Sequence, residues 1–78
     1  EGKRGKDYKT LLQEYVQRDG DKHIVYHLLS ESGPDHAKTF HMEVEINGVT
    51  YEAGSGKSKK IAEQHAAQLT LEKLMADK

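Results

Sequence analysis

Residues 38–53, "KTFHMEVEINGVTYEA", decide the fold. Phe40, Met42, Val44 and Ile46 alternate with His41, Glu43 and Glu45, the two-residue period of a strand with one buried and one wet face. Asn47-Gly48 then signals a type I′ two-residue turn, so residues 49–53 return as the hairpin partner. Such a loop pairs Ile46 with Val49, Val44 with Tyr51 and Met42 with Ala53, all six on one face. It also sets Glu43 opposite Glu52 on the wet face, a mildly destabilising pair.

Working outward, residues 24–32, "IVYHLLSES", suit a third strand with Tyr26 and Leu28 on one face, followed by a "GPDH" loop that contains the only proline. Upstream, Tyr8, Leu11, Leu12, Tyr15 and Val16 recur at helical spacing behind Asp7, a good N-cap, and "RDGD" at 18–21 ends that helix. Thr10, Gln13, Glu14 and Gln17 share its solvent-facing side. Downstream, Ala66, Ala67, Thr70, Leu71 and Leu74 form the inner stripe of a helix over about 58–76, whose alanines allow close approach to the sheet. The expected fold is α+β, in the order α-β-β-β-α: a three-stranded antiparallel sheet with two helices packed on one face and the other face wet.

The chain of 78 residues has room for one modest core, and its lack of cysteine excludes disulfides and cysteine zinc sites. No apolar run approaches a membrane span and no signal peptide is visible, so a cytoplasmic, membrane-free setting is expected. Residues 1–6, "EGKRGK", read as a linker remnant of a longer protein, leaving 7–76 as the domain. A net charge of −1 and a pI of about 6.6 argue against a generic polyanion binder. Any anionic partner must be recognised by where the charges lie, with the acidic Glu43, Glu45 and Glu52 on the wet face and a basic cluster elsewhere.

That cluster sits in "GSGKSKK", residues 54–60. A nucleotide-binding P-loop needs a glycine five residues before the Gly56-Lys57 pair, where Tyr51 stands. What survives is a glycine-rich turn into a helix start near Ser58, with Lys57, Lys59 and Lys60 beside its free N–H groups: an anion site. The plainer alternative, a solvated basic first turn, leaves unexplained why lysines stand where the macrodipole disfavours them. The five histidines do not make a metal site. His23 and His27 are four apart in or near a strand, where that spacing gives no shared ligand face, and His36 and His41 lie in a loop and on the wet face. Tyr26, Phe40 and Tyr51 point inward and read as core.

The order of elements, with "KTLLQEYVQ" at 9–17, "GPDHAKTF" at 33–40 and "GSGKSKKIAEQHAA" at 54–67, resembles the double-stranded RNA-binding domain from Asp7 to about Leu74. "DYKTLLQE" and "KSKKIAEQ" are similar to the C-terminal domain of bacterial ribonuclease III in particular. The family often has proline at the start of the first helix and two residues before the strand tyrosine, where this chain has Tyr8 and Ile24.

The resemblance implies that Thr10, Gln13, Glu14 and Gln17 enter one RNA minor groove. Amides that donate and accept suit a 2′-hydroxyl, and Glu14 accepts from a 2′-hydroxyl or a guanine amino group. It implies that Pro34, Asp35 and His36 enter the next minor groove, and that Lys57, Ser58, Lys59 and Lys60 hold the phosphates between. It also implies no catalysis, cofactor or metal in this chain. The parent would be a magnesium-dependent endoribonuclease, homodimeric through a nuclease domain N-terminal to this one, to which a monomeric binding module delivers duplex RNA. Two alternatives remain: a protein-interaction or dimerisation module of the same fold, using exposed Leu29, Ile61, Leu69 or Met75, and an RNA-binding module of a different RNA enzyme or helicase.

Overall fold

The computed structural model describes residues 7–18 and 20–77; the linker expected at 1–6 lies outside the described residues. The elements follow the expected order: α1 (Tyr8–Gln17), β1 (Ile24–Ser32), a short 3-10 helix (Asp35–Ala37), β2 (Thr39–Ile46), β3 (Val49–Gly56) and α2 (Lys59–Ala76). The three strands form one antiparallel sheet in sequence order, with β2 in the centre. The core lies between the inner sheet face and the helices. Leu12 of α1, Val44 and Ile46 of β2, and Ala66 and Ala67 of α2 are buried, with Tyr8, Val16, Ile24, Tyr26, Tyr51, Leu71 and Leu74 packed around them. Alanines at the α2–sheet contact leave no side-chain bulk between helix and strand, so the backbones approach closely.

Asn47 and Gly48 both have positive φ, 50° and 84°, which is the type I′ turn the dipeptide specifies. The Asn47 side chain also accepts the His23 N–H at 2.7 Å, tying the turn to the entrance of β1.

The hairpin register departs from the simple ladder. Ile46 faces Val49 and Glu45 faces Thr50, but Glu43 then faces Ala53, and Met42 faces Gly54. β3 carries one extra residue, a β-bulge, which flips everything after it. Ala53 is exposed on the outer side and Gly54 is buried on the inner one, so the expected Met42–Ala53 and Glu43–Glu52 pairings do not form. The Glu52 N–H is satisfied by the hydroxyl of buried Thr70 at 3.2 Å. A second irregularity lies in β1 between Leu28 and Ser30. Leu28 shares the inner register of Met42 yet stays exposed, because α2 packs chiefly over β3 and β2.

Candidate nucleic-acid interface

The glycines of 54–60 do not form a turn. Residues 54–56 are the last of β3, and the turn is confined to Lys57-Ser58. A Cβ on Gly54 would lie 2.3 Å from the Ala66 nitrogen, and one on Gly56 would lie 2.4 Å from the Ile61 side chain. These residues are glycine because α2 lies directly on β3. The glycine-rich turn read from the sequence is therefore a packing feature, and the lysines and the helix start lie beyond it. The Ser58 hydroxyl caps α2, accepting the Ile61 N–H at 3.1 Å. That leaves the N–H groups of Lys59 and Lys60 without intrahelical acceptors. Lys57, Lys59 and Lys60 are exposed, and none makes an ion pair among the described residues.

On α1, Thr10, Gln13 and Glu14 are exposed, as expected for a face that meets a ligand. Gln17 is not equivalent to them. It is half-buried, and its amide grips the peptide of Lys22 from both sides, donating to the carbonyl at 3.1 Å and accepting from the N–H at 3.0 Å. One of its donors and its acceptor oxygen are engaged in closing the α1–β1 connection, unlike the exposed amide of Gln13.

Pro34, Asp35 and His36 are exposed at the β1–β2 connection. The loop is held from within: the Ala37 N–H donates to the Pro34 carbonyl at 2.9 Å, and Lys38 donates to Glu31 at 3.0 Å. Gly33, at φ 89°, is irreplaceable there on two counts, its backbone conformation and a Cβ position 2.6 Å from the Ala37 carbonyl oxygen.

The strand register brings these pieces together. Ser32 pairs with Thr39 and Phe40 with Gly56, so the β1–β2 loop and the β3–α2 turn emerge at the same end of the sheet. The start of α1 is tied to that end by α2. The Tyr8 N–H donates to Gln64 Oε1 at 2.7 Å, Gln64 Nε2 donates to Asp7 Oδ1 at 2.8 Å, and Lys9 meets Glu63 at 2.5 Å. The same Asp7 oxygen accepts the Thr10 N–H at 3.2 Å as the helix cap. The hydrogen bonds from Gln64 and then Thr10 hold the Asp7 carboxyl below its ordinary value. Lys9 also stands 4.8 Å from the centre of the Tyr26 ring. Burial, with smaller contributions from Glu63 and Asp7, pushes the Tyr26 phenol up to about 12, so it stays neutral.

Lys9, Glu63 and Gln64 fall in the quoted motifs, but their contacts were not legible in the sequence, because the residues they join are 54 to 57 positions apart. On the outer sheet face, His27 pairs with Glu45 at 2.6 Å. No three His, Asp or Glu side chains among the described residues are grouped to hold a metal ion. Leu29, Ile61 and Met75 are exposed, whereas Leu69 is half-buried. No described helix is long and apolar enough to cross a membrane.

Residues 8–74 match the family model of the double-stranded RNA binding motif. The chain is 57% identical over 68 residues to Ribonuclease 3 of Streptococcus mutans serotype c, covering 87% of this chain and 29% of that protein. It is 52% identical over 71 residues to Ribonuclease 3 of Streptococcus pyogenes serotype M1, covering 91% of this chain and 31% of that protein. The chain thus spans less than a third of the length of these curated relatives. With the matched model running from the first helix to the last turns of the second, the chain belongs to the double-stranded RNA binding motif family.

Proposed function

We propose that residues 7–76 bind double-stranded RNA and serve as the substrate-binding module of a bacterial ribonuclease III, an RNA-processing endonuclease of the cytoplasm. The observation that carries this reading is a set of three exposed groups: the Thr10–Gln13–Glu14 face of α1, the Pro34–Asp35–His36 loop and, at the same end of the sheet as that loop, three lysines at the start of α2 that make no ion pair among the described residues. An A-form duplex offers a complementary series, minor-groove 2′-hydroxyls on either side of major-groove phosphates. Thr10, Gln13 and Glu14 address one minor groove, and Pro34, Asp35 and His36 the next. Lys57, Lys59 and Lys60, with the Ser58-capped helix start, address the phosphates between.

Among the described residues, no three His, Asp or Glu side chains are grouped to hold the magnesium of the proposed parent. Glu45 is engaged by His27, and no third carboxylate or imidazole joins it among the described residues. In this reading cleavage belongs to a separate nuclease domain of the parent, through which the parent dimerises. The role of this chain is to hold duplex RNA at high local concentration near that domain.

The test is binding to a blunt duplex RNA of about 20 base pairs, beside DNA of the same sequence, across a salt series. Salt-sensitive binding that favours RNA is expected. Equal affinity for both, or no binding at low salt, would sink this reading and turn attention to Leu29, Ile61 and Met75 as a protein-docking surface.

A further inference from the structure

Recognition of a duplex by separate groups requires that the groups stand at fixed distances from one another. Two of the three groups lie on different helices, α1 and α2, and the core between those helices is apolar, built on Leu12, Ala66 and Ala67. Apolar packing is non-directional and sets the distance between helix axes better than their relative slide. A slip of α1 by one residue moves its contact face by about 1.5 Å.

Directional contacts between the helices are concentrated at Gln64. Its carbonyl oxygen accepts the N–H of Tyr8, the first residue of α1, at 2.7 Å, and its amide donates at 2.8 Å to the Asp7 carboxylate that caps the same helix. One amide group thus completes the N-terminal cap of the other helix: move Gln64 and the start of α1 moves with it. Gln64 stands one turn beyond Lys60 on α2, and Thr10 stands three residues beyond Asp7 on α1. The neighbouring Lys9–Glu63 pair cannot supply the same angular restraint, since an ammonium is a rotatable point donor. The lowered pKa of Asp7, whose first cause is Gln64, agrees with a tight contact.

We propose that Gln64 is a positioning residue for duplex recognition: by bonding both Asp7 and Tyr8, it fixes the distance from the Thr10–Gln13–Glu14 face to the lysines at the start of α2, and with it the preference for A-form over B-form geometry. This inference rests on the duplex-RNA reading above. It assigns Gln64 no contact with RNA.

The experiment uses three variants, Gln64→Leu, Gln64→Glu, and Gln64→Glu combined with Asp7→Asn. Each is followed by thermal melting and by affinity for the RNA duplex and its DNA counterpart. The Leu variant removes both bonds. The single Glu variant sets two carboxylates against each other. The double variant restores a donor–acceptor pair with the charge moved to α2, and asparagine still caps α1. The expected result is a loss of about tenfold on RNA for both single variants, with less than about twofold change on DNA, and recovery to within about threefold in the double variant. RNA affinity unchanged in the single variants, equal losses on RNA and DNA, or a double variant that regains its melting temperature without regaining RNA affinity would each overturn the proposal. If Gln64→Leu does not fold, the charge-exchanged double variant decides alone. A wild-type domain without preference for RNA would overturn the underlying reading as well, whereas a selective wild type with equally selective Gln64 variants overturns only the role of Gln64.

Discussion

The Gln17 amide and the Lys22 peptide are joined by two hydrogen bonds, 3.1 Å from the side-chain nitrogen to the carbonyl and 3.0 Å from the N–H to the side-chain oxygen. The bidentate grip makes Gln17 part of the scaffold that turns the chain from α1 into β1. Gln17→Ala should lower stability by about 1–3 kcal/mol, read from urea melts, because two backbone groups lose their partners. It should leave the ratio of RNA to DNA affinity unchanged, while Gln13→Ala lowers that ratio. A Gln17→Ala domain of full stability that discriminates poorly would return Gln17 to the contact face.

The exposed lysines at the start of α2 make a prediction about salt. Lys59→Ala and Lys60→Ala should each weaken binding to all duplexes alike and reduce the slope of log affinity against log salt by about 1. A variant with unchanged slope has lost no phosphate contact, and that lysine would be a solvated helix residue.

Close contact between β3 and α2 makes Gly54 intolerant of any side chain. The added methyl of Gly54→Ala would sit 2.3 Å from a backbone nitrogen that cannot rotate away. The expected cost is about 1–3 kcal/mol or more, with α2 displaced from the strand. Differential scanning calorimetry measures it, and an unchanged melting temperature would mean that the helix does not rest on the strand.

The bulge in β3 relies on Thr70. Thr70→Val keeps the shape and removes the acceptor for the Glu52 N–H, which should cost about 1–3 kcal/mol. Amide exchange of Glu52 should accelerate relative to its neighbours. If it does not, the bulge N–H has another partner.

Asp7 predicts the response to acid. Its folded-state pKa is lowered from 3.8, so its contribution is present in full above the unfolded value and is lost as pH falls through the depressed folded value. The melting temperature of wild type should therefore fall further between pH 5 and pH 2 than that of Asp7→Asn, which has no carboxylate to protonate. Parallel declines would remove Asp7 from the acid response.

Much of this protein could be read from its residues in order. The alternation through Phe40–Ile46, the Asn47-Gly48 turn, the Asp7 cap, the helix start near Ser58 and the alanine stripe of α2 are local statements, because strand period, turn type and capping depend on neighbours in the chain. The exposure of the basic cluster at 57–60 was legible for the same reason.

Tertiary structure decided the rest. The register slip in β3 depends on where α2 presses: glycine at 54, with Thr70 ready to accept a freed N–H, makes the bulge tolerable, and neither residue is near the other in sequence. Gln17 had the spacing of a contact residue, and only the path of the chain to Lys22 turned its amide inward. Gln64 lies within the "KSKKIAEQ" motif, but nothing local marked it as a contact between the helices. Its part arises because the two helices meet near their starts, joining residues 56 positions apart in the chain. Hydrogen-bond partners are chosen by proximity in space, and a periodic pattern reports only which face of an element is covered.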